Sequence, residues 1–264
     1  LRFLEEAFDH GTGRFRNVCG ADGTWLERVG SEDCQGRAML SLGETMAAAP
    51  DGRLAEAAER LFAQALPLVH GLRALRARAS ALLACEVALR AAPVPATAAA
   101  CRLVAGRLRT TFESLPATDW PWPESPLTYE NGLPARALLM AGRSLDSQPT
   151  VDAGLRLLDW LIANQTAQAG HFSPVGNGWW RRGGTKSQFD QQPIEATALL
   201  LAAETALELT GDGTYRVASE RAYGWFLGAN DLGVAVADPD RGASHDGLKH
   251  AITVLVFEIL SSDQ

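Results

Sequence analysis

Helical segments with one apolar face alternate along this chain with helical segments apolar on nearly every face, and few folds accommodate that alternation. Leu54, Ala58, Leu61, Phe62 and Ala65 recur at helical spacing and leave a polar opposite face, just after a good N-cap at Asp51. Val151, Leu155, Leu158, Leu161 and Ile162 repeat the pattern, with Pro149 suited to a first turn. Tyr215, Ala218, Ala222 and Trp225 form a third stripe, capped by Asp212 and closed by Gly228. Between these stripes, residues 137–141, 194–209 and 251–260 are apolar almost all round. A soluble helix without a wet side must be covered on both sides. Two concentric layers of helices meet both demands, and alternating strand patterns are scarce. The expected fold is therefore all-α, an α/α toroid.

Outer helices are expected near 1–9, 51–66, 95–114, 148–166 and 213–228, and inner helices near 36–48, 71–91, 130–143, 191–209 and 249–261. Successive inner helices start roughly 35 to 60 residues apart, the scale of stacked helical hairpins. Five inner helices and an outer helix at Leu1 suggest a six-hairpin ring truncated at its N-terminus, a single domain over 1–264 cut from a longer chain. An open α-solenoid also alternates helices. Here, however, the loops entering inner helices (11–35, 116–129, 167–190) are long and those leaving are short, which favours a closed ring with a decorated mouth.

Composition narrows the function. A formal charge of −7 argues against a nucleic-acid surface. No run approaches the roughly 20 apolar residues of a membrane span. Cys19, Cys34, Cys85 and Cys101 form no CxxC pair, which favours a reduced, cytoplasmic chain, and no secretory signal is visible. No cofactor motif is evident. The G-G-T-K run at 183–186 lacks the spacing and preceding strand of a P-loop.

Four loops carry chemistry. The first holds Trp25 and then Ser31, Glu32, Asp33 and Arg37, where Ser31 or Asp33 caps a helix and the two acids can meet sugar hydroxyls. The second carries Trp120, Trp122, Glu124, Tyr129 and Asn131 in a proline-stiffened stretch. Flat rings beside a carboxylate suit a pyranose, whose C–H face stacks while its hydroxyls are bonded, although ordinary packing explains one of the tryptophans as well. The third presents Trp179, Trp180, Arg181, Lys186, Asp190, Gln191, Gln192 and Glu195. Its carboxylates and amides can grip a polyhydroxyl ligand, and its cations an anion. The fourth, from Asp238 to Gly247, reads as a solvated turn with no metal-ligand spacing, and His10, His70 and His171 stand isolated.

The motifs S-E-D-C-Q-G-R-A (31–38), W-P-W-P-E-S-P-L-T-Y-E-N (120–131) and G-G-T-K-S-Q-F-D-Q-Q-P-I-E-A (183–196) resemble a bacterial six-hairpin α/α-toroid module. That module occurs in glycosyltransferase chains, often C-terminal to a nucleotide-sugar transferase domain. The stretch T-G-D-G-T-Y through W-F-L-G-A-N (210–230) is similar to an outer-helix signature of carbohydrate-active toroids, so the resemblance spans about residues 12–247. It implies a polar cluster at Glu32, Asp33, Glu124, Tyr129, Asn131, Lys186, Asp190, Gln191, Gln192 and Glu195, acting on or binding a saccharide or glycoconjugate. Beyond Gly247 the chain departs from the pattern: an inner helix bearing Asn, Gln and Glu is expected, and residues 249–264 offer an apolar one with Glu258 alone.

Three functions compete. A carbohydrate-active enzyme, of glycosyltransferase or glycoside-hydrolase type, would use Glu124 as acid and Asp190 as base, with Asp33 in reserve. An inverting glycosidase would set the two carboxyls about 6.5–9.5 Å apart. A non-catalytic sugar-binding or scaffolding module would keep the same aromatic cleft without turnover. A helical interaction protein would bind protein with its rim loops, and function belongs to the site rather than to the fold.

Overall fold

The structure, a computed structural model, describes residues 1–49, 52–115 and 119–249. The helices are α1 (Arg2–Ala7), α2 (Glu32–Ala48), α3 (Gly52–Ala65), α4 (Leu75–Ala91), α5 (Pro95–Glu113), α6 (Gly132–Ser144), α7 (Gln148–Asn164), α8 (Pro193–Thr210) and α9 (Gly213–Phe226). A 3₁₀ turn at Leu66–Gly71 joins α3 to α4. The only strands among the described residues are three two-residue antiparallel ribbons. No helix there is long and apolar enough to cross a membrane. The cap expected at Asp51 and the inner helix expected at 249–261, with Glu258, lie outside the described residues from position 250 onward and at 50–51.

The described residues divide into two compact units, those within 1–113 and 137–153, and those within 114–136 and 154–249. In the first, α2 begins four residues before its expected start because Ser31 caps it: its side chain accepts from the Cys34 N–H, with Glu32 and Asp33 in the positive first turn. From Leu75 to Ala88 every residue of α4 is buried except half-buried Arg78, and Arg76, Ser80 and Glu86 are buried with the apolar residues. By contrast α3 buries only Ala58, Leu61, Phe62 and Ala65, and Leu54 is exposed although it continues the stripe.

Two glycines set how α2 meets α4. A Cβ on Gly36 would fall 2.7 Å from the Ala77 carbonyl oxygen, and one on Gly43 would fall 2.8 Å from that of Ala84. Both contacts advance by seven residues, so the helices run parallel. Parallel neighbours cannot be consecutive, and α3 supplies the return path. Gly36→Ala is expected to lower stability by about 1–3 kcal/mol, because forced overpacking against backbone outweighs the roughly 1 kcal/mol of helix propensity gained. A melting temperature at or above that of the unsubstituted chain would contradict this.

In the second unit α8 ends at Gly211, whose φ of 70° is left-handed, and Asp212 caps α9 by accepting from the Thr214 N–H. The buried face of α9 is Tyr215, Ala218, Ala222 and Trp225, the expected stripe. Gly132 at the start of α6 touches the Ala198 carbonyl of α8 so closely that no Cβ fits between them.

Candidate functional site

The second and third rich loops, both in the second unit, are joined to each other. Pro126 pairs with Arg181 and Leu127 with Trp180 in an antiparallel ribbon, and the Arg182 N–H donates to the Ser125 carbonyl. This brings Trp120 against Trp180 edge-to-face at 4.9 Å, and Trp160 stacks on Trp180 at 6.0 Å with planes 3° apart. Trp120 is 6% exposed and Trp122 is buried, so both are packed beneath the loop. The Trp120 indole N–H donates to the Glu124 carbonyl, fixing the segment that presents the half-buried Glu124 side chain. Tyr129 is half-buried beyond the ribbon, and Trp179 is 40% exposed at a left-handed φ of 65°. Its ring is the most available of the four predicted tryptophans.

Asp190 borders a polar cavity of about 100 Å³ lined by Asn177, Asp190, Gln191, Gln192, Asp246, Gly247 and Lys249. The exposed carboxylate stands on a residue with φ of 57°, and the Asn177 N–H donates to its carbonyl. Gly176 fits beneath this turn only because it has no side chain, since the Phe189 carbonyl occupies the place of a Cβ. The fourth loop reaches this cavity through Asp246, whose carboxylate lies 3.9 Å from the Lys249 ammonium.

Other predicted groups are engaged in the framework. Glu195, 2% exposed, accepts from the Asn131 N–H at 3.0 Å, the Asn131 amide at 2.8 Å and the Gln165 amide at 3.1 Å, tying together the ends of α6, α7 and α8. The fully buried Gln191 donates to the Gln188 carbonyl and to Asp231, and accepts from the Trp225 indole at 2.8 Å. Lys186 donates to the carbonyls of Asn164 and Ser173, and burial pulls its ammonium pKa down against the opposing charge of Asp231. Gln192 is half-buried at the N-cap of α8, and Arg181 is exposed.

His171, isolated in the sequence, sits with Nε2 3.1 Å from Asp231 Oδ1, sixty residues away. Burial disfavours the Asp231 carboxylate, but hydrogen bonds from Gln191, Ser173 and His171 outweigh it and hold its pKa below 3.8. A depressed carboxyl stabilises the fold above its unfolded pKa, and that contribution is lost as pH falls through the folded value. Melting temperature should therefore fall below about pH 4, and Asp231→Asn should flatten that slope. An unchanged slope would exclude Asp231 as its source. Neither residue carries a local signature, and Trp160 was equally silent.

In the first unit Glu32 accepts from the N–H groups of Arg73 and Ala74 at 2.7 and 2.6 Å, capping α4. Burial raises its pKa, but these two bonds, with Arg14 and Arg73 nearby, bring the net shift down. Asp33 pairs with Arg37 at 2.8 Å through Oδ2, and its buried Oδ1 has no hydrogen-bond partner among the described residues. Gln35, fully buried, exchanges hydrogen bonds with both backbone groups of Phe15 and so anchors the first loop to α2.

No protein-family model matches the chain, and no curated protein matches it by sequence. Solved structures do. An unsaturated glucuronyl hydrolase specific for heparin aligns with a TM-score of 0.62 at 14% identity, over 86% of this chain and 66% of that one. A glycoside hydrolase family 76 mannosidase from Bacteroides thetaiotaomicron aligns with a TM-score of 0.56 at 10% identity, over 85% and 71%. The chain has the α/α-toroid fold. It spans just under two thirds of the glucuronyl hydrolase's length. At these identities the likeness carries the fold and leaves the chemistry to the residues.

Proposed function

We propose that this toroid module acts on a saccharide through the joined loops of the second unit. Glu124 protonates the leaving oxygen and Asp190 activates water or an acceptor hydroxyl. Trp179, Trp180 and Tyr129 offer ring surface to the sugar, with Gln192, Asn177 and Asp246 as hydrogen-bonding groups. The observation that supports this best is the ribbon between Pro126–Leu127 and Trp180–Arg181, which makes one assembly of two loops rich in indoles and carboxylates. The fold shared with two saccharide-acting hydrolases favours the same class.

Engagement of Glu195, Asn131, Gln191 and Lys186 in the framework narrows the reacting groups to the exposed and half-exposed ones. A non-catalytic sugar-binding role is the second reading, favoured by the cavity at Asp190. Its volume of about 100 Å³ is small beside the roughly 300–1,000 Å³ of most ligand pockets.

The test is a glycan array probed with the whole chain, followed by release of reducing sugar from each glycan retained. Retention and release together support the enzyme, and retention alone supports the binding module. Retention of no glycan would end both readings.

A further inference from the structure

A second cavity, in the first unit, lies at the C-terminal ends of α4 and α6 and beside α5, far along α4 from the Glu32 cap at its other end. Its volume is about 380 Å³, and Glu86, Arg90, Cys101, Arg102, Arg143 and Ser144 are among its lining residues. We propose that it binds a small hydroxylated oxyanion, the carboxylate or phosphate of a sugar-sized metabolite.

Two observations carry this. The first is the floor. Glu86 is 3% exposed, and both of its donors, the Cys101 thiol at 2.9 Å and the Ser144 hydroxyl at 2.6 Å, go to the same oxygen, Oε1. Oε2 accepts nothing among the described residues and belongs to a group lining the cavity. With Oε1 taken by two protein donors, Oε2 is the acceptor left open to the cavity, and a ligand hydroxyl can donate to it.

The second is the rim. Three arginines surround one cavity in a chain of formal charge −7. Arg90 and Arg143 stand in last helical turns, where the dipole alone favours a cation. Arg102 lies within α5, where it does not. Neither Arg90 nor Arg102 pairs with a carboxylate among the described residues, not even with Glu86 one turn before Arg90. Guanidinium groups held beside a cavity suit a planar or tetrahedral oxyanion. The thiols do not make the site nucleophilic: burial pushes Cys101 up, and Cys85 up to about 12, so Cys101 serves as a donor.

Calorimetric titration of the whole chain with gluconate, glucose 6-phosphate, glucose and inorganic phosphate tests the site. Saturable binding is expected for gluconate or glucose 6-phosphate, and whichever is tighter tells carboxylate from phosphate. Glucose and inorganic phosphate should each bind at least about tenfold more weakly, because each satisfies one end of the site only. The double variant Arg90→Ala/Arg102→Ala changes exposed side chains and should keep its circular dichroism while losing about tenfold or more in affinity. Glu86→Gln should weaken the sugar ligands and leave inorganic phosphate unchanged. Binding of neither sugar anion, inorganic phosphate binding as tightly as they do, or an arginine variant with undiminished affinity would each overturn the proposal.

Discussion

Replacing Glu195 by alanine should destabilise the second unit by about 3–5 kcal/mol, the cost of breaking a buried charged network from one side. Three donors lose their acceptor together: the Asn131 N–H, the Asn131 amide and the Gln165 amide. Each orphaned buried donor costs about 1–3 kcal/mol, and because they share one acceptor the costs do not simply add. Gln165 keeps its bond to the Val175 N–H, so the end of α7 stays tethered to the third loop while α6 and α8 lose their tie. Glu195→Gln should lose less, since it keeps one acceptor but aims its amide N–H₂ at another donor. Urea unfolding of the three proteins measures this. A Glu195→Ala midpoint within error of the unsubstituted chain would mean the network is ornamental.

On the proposed saccharide chemistry, Asp190→Asn and Glu124→Gln should each reduce turnover by about 10²–10⁴-fold, the usual contribution of a positioned general acid or base. Asp190 has φ of 57°, and asparagine tolerates that left-handed conformation as readily as aspartate. The variant should therefore keep its turn, and a loss of rate can be read as lost chemistry. Glycan retention should persist in both variants, because each amide keeps the shape and a hydrogen-bonding oxygen. Turnover unaffected by either substitution would remove these residues from the mechanism, and loss of retention together with turnover would make them binding groups.

The helices were legible because burial imposes a period. The stripe Tyr215, Ala218, Ala222 and Trp225 and the all-round apolar run 137–141 are buried as the pattern demanded. Leu54 shows the limit, since a residue on the right face is covered only where a neighbour extends to it. Cap chemistry was local too, which is why Asp212 was readable and Ser31 displaced the start of α2. Partnerships across long sequence separations were not. Nothing near Glu195 tells that its oxygens go to Asn131 and Gln165 rather than to solvent. His171 likewise gives no sign of Asp231. A motif names polar residues without saying which face a ligand and which hold the scaffold, so the candidate site was only partly readable.

The paired glycines of α2 have a consequence for how this chain tolerates change. Each is a notch the width of one carbonyl, and sliding α2 along α4 by a turn would drive a side chain into backbone at both places. Alignment is thereby keyed within the contact itself. A residue gained or lost in the turns on either side of α3 would then be taken up in those turns, without α2 and α4 slipping out of step.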